Sequence, residues 1–145
     1  MLKWPGSRRP NSYPVQSRDY QPYVTDIAAR TEKNDNYRTV LWTGARLQVT
    51  LMSIPPGGDI GLEMHGDTDQ FIRIQQGRAV VRMGQTKDNL TFVKDAGPGY
   101  AVMIPQGTWH NIINTGTEPL KLYSVYAPPH HPRGTVQPVK PPSGH

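Results

Sequence analysis

From Tyr37 to Tyr126 the chain is written in short alternating runs of apolar and polar residues, each closed by a breaker. Period-two alternation over four to eight residues is the mark of a half-buried strand. Arg46–Ile54 (RLQVTLMSI) is the clearest case, with Leu47, Val49 and Leu51 on one face and Gln48, Thr50 and Met52 on the other. Similar runs predict strands over Thr39–Trp42, Ile60–His65, Gln70–Gln75, Arg78–Met83, Leu90–Val93, Tyr100–Ile104, Trp109–Asn114 and Leu120–Tyr126. The breakers between them are rich in Gly, Pro, Asp and Asn, which tolerate turn geometry. Many short strands at this spacing predict an all-β sandwich or barrel. A single helix is predicted, Asp26–Asn34, with Thr25 or Asp26 able to cap its start and Asn34 its end.

Outside these limits the pattern fades. Residues 1–22 carry four prolines among polar residues and tyrosines. Tyr13, Tyr20 and Tyr23 are the residues there able to pack on a barrel or a partner subunit. Residues 127–145 read PPHHPRGTVQPVKPPSGH after Ala127, too rich in proline for a central strand, and predict an extended tail that lies on the barrel at first and then leaves it. The expected organisation is a basic N-terminal segment at 1–22, one β-barrel domain at 23–126 and a Pro/His-rich tail at 127–145.

Composition narrows the classes. With 145 residues and no cysteine, one core is expected, and disulfides and thiolate metal sites are excluded. The net charge of +5 lies in the two terminal segments, because the acids and bases of residues 23–126 balance. A nucleic-acid binder needs a basic stripe on its folded body, so no nucleic acid is expected as partner. No run reaches the roughly 18 apolar residues of a membrane span, and no apolar stretch follows the basic N-terminus as in a secretory signal. The cytoplasm is the expected compartment.

The chemistry gathers in Gly57–Gly77, GGDIGLEMHGDTDQFIRIQQG. Glu63 and His65, two apart on a predicted strand, share a face. A turn at Gly66-Asp67-Thr68-Asp69 is expected to fold Gln70 back opposite them in a hairpin. His110, on the Trp109–Asn114 strand, is the fourth candidate. A buried carboxylate is costly unless compensated, so this set calls for a metal ion or a strong donor. Two imidazoles and one carboxylate are the ligand types of the facial triad of non-haem iron(II), and a glutamine carbonyl can add a weaker ligand. Manganese, iron(II), zinc and nickel all fit an N/O donor set without thiolates. His130-His131 read as an exposed pair between prolines, His145 is terminal, and Met64 and Trp109 should point away from the centre.

Two motifs here resemble those of the cupin superfamily. Gly57, five residues, Glu63-Met64-His65, four residues, Gln70, six residues and Gly77 keep the spacing of the first cupin motif, with Glu63 standing where the family has a histidine and Gln70 where it has a glutamate. Gly99, Pro105, Gly107, His110 and Asn114 match the second motif at every position. The resemblance implies a jelly-roll β-barrel and a metal held by Glu63, His65, Gln70 and His110. The family includes dioxygenases, isomerases, decarboxylases and epimerases, so the fold leaves the reaction open. The donor mixture is also similar to the zinc site of the mannose-6-phosphate isomerase branch, with the Gln and Glu positions exchanged. A phosphosugar site needs inward basic residues, and Arg73, Arg82 and Lys121 are not expected to supply them.

The expectation is therefore a metal-dependent enzyme acting on a small polar molecule, of dioxygenase or isomerase type. Glu63 is the candidate base and Tyr126 the candidate acid. The alternatives are a non-catalytic module that binds a metal or small ligand, a sugar-phosphate isomerase-like enzyme, and an assembly protein working through its terminal segments. Outward apolar residues on Arg46–Ile54 and beside Trp42 call for a cover, and a homodimer is expected.

Overall fold

The structure, a computed structural model, describes residues 18–142. The candidates Tyr13 and His145 lie outside them. In chain order the elements are α1 (Ile27–Lys33), β1 (Arg38–Thr43), β2 (Gln48–Ile54), β3 (Asp69–Gln76), β4 (Ala79–Gly84), β5 (Phe92–Ala96), β6 (Ala101–Ile104), β7 (Trp109–Asn114), β8 (Leu120–Ala127) and β9 (Val136–Gln137). All strand pairs are antiparallel. They form a six-stranded sheet, β6-β3-β8-β2-β1-β9, and a three-stranded sheet, β5-β4-β7. Together they make the expected all-β jelly-roll barrel.

Alternation explains what fills the interior. In the large sheet Ile74, Leu122 and Met52 stand side by side, with Ile54 and Leu120 paired one row further along. Ile112 and Val81 pair in the small sheet and complete this apolar end. Further along the strands the inward positions turn polar: Ile72, Ser124 and Thr50 form a mixed row, and Gln70, Tyr126 and Gln48 the next, all with polar groups. All six are buried. One half of the interior is hydrocarbon and the other half is hydrogen-bonding groups.

The segment predicted as a strand over Ile60–His65 is not one. It runs antiparallel to β7 through separate bridges, Asp59 to Ile113 and Glu63 to His110. Ile60 N donates to Ile112 O and Glu63 N to His110 O, a slip of one residue between the two contacts. Gly61, at φ 87°, lies within that slip, in the left-handed region that glycine alone enters freely.

The ends of the chain also depart from expectation. Val136–Gln137 pairs with Arg38 and Thr39, so the C-terminal stretch adds a ninth strand where a free tail was expected. Lys140 Nζ then donates to Asp59 Oδ1, holding the chain still further along. The cover expected from a second subunit over β1 and β2 comes in part from the chain itself. Trp42 Nε1 donates to Gln21 O at 2.9 Å, and Tyr20 N to Thr43 O at 2.9 Å. Lys121 Nζ donates to Glu32 O and Asp35 Oδ1, fastening the end of α1 against β8. Asp26 caps α1 as expected, accepting from Ala29 N.

Candidate metal centre

Backbone pairing brings the first two site residues together. Glu63 and His110 exchange both backbone hydrogen bonds, at 3.0 and 2.9 Å, so their side chains leave neighbouring backbones toward the interior. His65 follows two residues after Glu63, with its carbonyl accepting from Gly107 N at 2.7 Å. Gly107 has φ 79°, which is why the turn after Pro105 carries a glycine there. Glu63, His65 and His110 are buried, and one ligand atom from each falls within 4.8 Å of the others.

Gln70 arrives by another route than the expected hairpin. It stands on β3 of the large sheet, whereas Glu63 pairs with β7 of the small sheet. The bend at Gly66-Asp67 carries the chain from one sheet to the other, and Gln70 belongs to the opposite wall. Its Nε2 donates to Ser124 Oγ at 2.8 Å, which orients the amide and leaves Oε1 buried with no hydrogen-bond partner.

The histidines are oriented in the same sense. His110 Nδ1 lies 2.9 Å from Thr108 O, a carbonyl that can only accept, so Nδ1 carries the proton. Its Nε2 is directed at Glu63 Oε1 at 3.5 Å, and His65 Nε2 lies 3.3 Å from the same oxygen. Neither Nε2 has a hydrogen-bond partner. Burial pushes the Glu63 carboxyl up, but its contacts with His110 and His65 outweigh burial and hold it well below the usual carboxylate range. Those contacts favour the carboxylate only where the imidazoles carry positive charge; a neutral His110, with its proton on Nδ1, turns a lone pair toward Glu63 instead. A cation among them removes that repulsion and gives both Nε2 atoms and Gln70 Oε1 a partner. The donor set Glu63, His65, His110, with Gln70 Oε1 in addition, fits a divalent metal ion.

Around this group stand residues that sequence reasoning did not place there. Gln48 is fully buried and makes four hydrogen bonds. Its Oε1 accepts from His130 N and His131 N, and its Nε2 donates to His131 O and Thr43 Oγ1. One side chain thereby holds the segment after the cis Ala127–Pro128 bond across the polar end of the barrel. The expected exposed histidine pair holds for His130 and is corrected for His131. His130 is exposed on one side but its ring lies 4.1 Å from that of His65. His131 is half-buried, with Nε2 3.4 Å from Tyr126 Oη. Burial and the nearby Arg38 charge push the His131 imidazole down to about 3. Tyr126 is buried with its ring edge-on to His65, and burial together with the Glu63 charge raises its phenol well above the usual range. Met64 is exposed and points away, as expected.

A signal for the missed residues does exist. Gln48 and Thr50 share the face of Met52, and Arg38, one residue before the predicted strand Thr39–Trp42, lies two positions before Val40. Polar residues on an inward face mark a site rather than a solvated surface.

Comparison with known proteins agrees with this geometry. The cupin domain model matches residues 50–126, more than half of the chain. Protein YrkC of Bacillus subtilis is 54% identical over 125 residues, which cover 85% of this chain and 67% of that one. Protein L612 of Acanthamoeba polyphaga mimivirus is 42% identical over 129 residues, covering 88% and 79%. The crystal structure of BH2720 from Bacillus halodurans superposes with a TM-score of 0.81 at 55% identity, covering 81% of this chain and 89% of that one. The spacing of both motifs, the barrel and these matches have one reading: the chain belongs to the cupin family.

Proposed function

We propose that the protein is a metal-dependent cupin enzyme acting on a small polar molecule, with a divalent ion held by Glu63, His65, Gln70 and His110. One observation carries this reading: three buried ligand atoms from Glu63, His65 and His110 converge, and both Nε2 atoms and the Gln70 carbonyl oxygen lack any other partner. A bound ion of this kind supplies Lewis acidity toward a carbonyl, or activates water or dioxygen.

The remaining chemistry belongs to the chain. Glu63 stays ionised down to low pH, so it is present as ligand or as base. Tyr126 stays protonated and can donate from Oη as the acid. Thr108 and Ser124 set the orientation of His110 and Gln70. The segment held by Gln48 narrows the mouth and restricts the substrate to a small molecule. Ile72 and Ile112, buried behind the donors, supply an apolar wall. Dioxygenase-type and isomerase-type chemistry both suit such a site. Arg73 and Arg82 stand on outward positions and Arg38 is the one buried arginine among the described residues, fewer cationic donors than a phosphosugar takes.

The test is elemental analysis of purified protein beside Glu63→Ala and His110→Ala, followed by a substrate panel read for dioxygen uptake and for isomerisation. A divalent ion in the native protein, lost from both variants, and turnover of a small molecule are expected. Absence of metal after loading with iron, manganese, zinc and nickel would refute the proposal. Metal binding without turnover would favour a non-catalytic binding module.

A further inference from the structure

The barrel interior holds a positive charge that the metal reading does not use. Arg38 stands on β1, paired with Met52 on the inward face, and is 1% exposed. Its Nη1 donates to Gln137 Oε1 at 2.6 Å, and its guanidinium lies over the Tyr37 ring. Its Nε is buried without a hydrogen-bond partner. Among the described residues no carboxylate lies within ion-pair distance of it.

An unpaired guanidinium is expensive to bury. The buried acids among the described residues are Asp19 and Glu63. Asp19 Oδ1 accepts from Thr43 N, and Glu63 faces the two imidazoles. With a divalent ion bound, the interior carries that ion and Arg38 against the Glu63 carboxylate, and positive charge is left over. Thr50, on the same inward face of β2 two residues before Met52, has a buried hydroxyl that likewise has no partner. The charge on Arg38 reaches the site: it acts to lower the proton affinity of His130 and His131 and to favour the ionised form of Tyr126.

We propose that Arg38 and Thr50 bind the carboxylate of a small anionic ligand inside the barrel, beside the metal donors. A carboxylate accepts from Arg38 Nε–H and from the Thr50 hydroxyl and offsets part of the surplus charge. A single guanidinium in a space roofed by one pinned segment suits a small monocarboxylate better than a phosphate, which takes several donors. This inference rests on the metal reading for the surplus charge, and elemental analysis of the same samples separates the two.

The test is calorimetric titration of metal-loaded full-length protein with lactate, with its neutral amide lactamide, and with inorganic phosphate. The proteins compared are wild type, Arg38→Met, which keeps side-chain length without charge, and Arg38→Lys, which keeps charge without the planar fork. Wild type is expected to prefer lactate over lactamide by about tenfold or more, a difference of one hydrogen-bonded charge pair. Arg38→Met should lose that preference at unchanged metal content, and Arg38→Lys should retain part of it. Equal binding of lactate and lactamide by wild type overturns the proposal. So does a preference that survives in Arg38→Met, because the carboxylate would then sit on the metal alone. Phosphate bound in place of lactate overturns the ligand class. If Arg38→Met does not fold, the wild-type comparison and Arg38→Lys decide the question.

Discussion

The two ends of the barrel interior are built from the same strands and teach different things. At one end Ile54, Ile74, Leu120 and Leu122 fill the space between the sheets. At the other, the same inward positions of the same strands hold Gln70, Tyr126, Ser124, Gln48 and Thr50. The change takes two residues on β8, from Leu122 to Ser124, and four on β3, from Ile74 to Gln70. Burial alone therefore does not distinguish core from site here, since both ends are closed to water. What distinguishes them is hydrogen-bond satisfaction. The apolar end needs no partners, whereas the polar end keeps orphaned atoms on Thr50, His65, Gln70 and His110, with Arg38 Nε at the border between the two. Orphaned buried polar atoms are rare in folded proteins, and their gathering at one end is the physical sign of a ligand.

The strongest way to break this comparison is to remove a donor. His110→Ala or Glu63→Ala should lower metal affinity by at least about 100-fold, read by elemental analysis and competition with a chelator, while the apolar end keeps the barrel folded. Substitution at the apolar end should do the reverse. Leu122→Ala opens a cavity in a fully buried position and should cost about 2–5 kcal/mol of stability, measured by denaturant unfolding, with the metal still bound. Comparable metal loss from both kinds of variant would mean that the two ends are not separable.

Gln48 lies between these extremes. Gln48→Leu keeps volume but leaves His130 N, His131 N and His131 O without their partner, and should cost about 1–3 kcal/mol. Hydrogen exchange of residues 128–137 should rise in that variant while β3 and β8 stay protected. A smaller effect is expected from acid. His131 is held down to about 3, below its ordinary value of 6.5, by burial first and then by Arg38 and His130, with Glu63 opposing and His65 adding to them. Its neutral form is the one that docks. The folded state therefore binds the proton less readily than the released chain, so docking is fully stable above about pH 6.5 and weakens as pH falls toward 3. Intrinsic-rate-corrected exchange at residues 128–137, compared at pH 7 and pH 5, should show the loosening, and His131→Phe should reduce it to the part that His130 contributes.

The smallest expected effect concerns association. Phe92 and Val93 on β5, Met103 on β6 and Tyr100 just before β6 are exposed at one outer strand of each sheet, and we propose these edges as the contact surface of a homodimer. Light scattering should report a dimer for the native chain and a monomer for Met103→Lys with Tyr100→Lys. A native monomer would remove the dimer from the account.

Much of this was legible in the sequence because alternation is a local signal. The strand runs, the helix cap at Asp26 and the spacing from Gly57 to Asn114 each depend on near neighbours. The donors Glu63, His65, Gln70 and His110 could be named in this way, and their meeting in one interior follows from the motif spacing. Their arrangement could not. Gln70 reaches the site from the opposite sheet, and a slip at Gly61 replaces the expected strand over Ile60–His65.

By itself, then, the sequence determined that this protein is an all-β barrel with a set of candidate metal donors, since pattern and spacing act over a few residues at a time. Only the tertiary structure decided what surrounds those donors. His130 and His131 come over the site because one buried glutamine, more than eighty positions earlier, accepts their backbone hydrogens. Arg38 becomes an unpaired buried charge because the sheets close around it. Such contacts carry no period along the chain, and they arise where distant segments exclude water together.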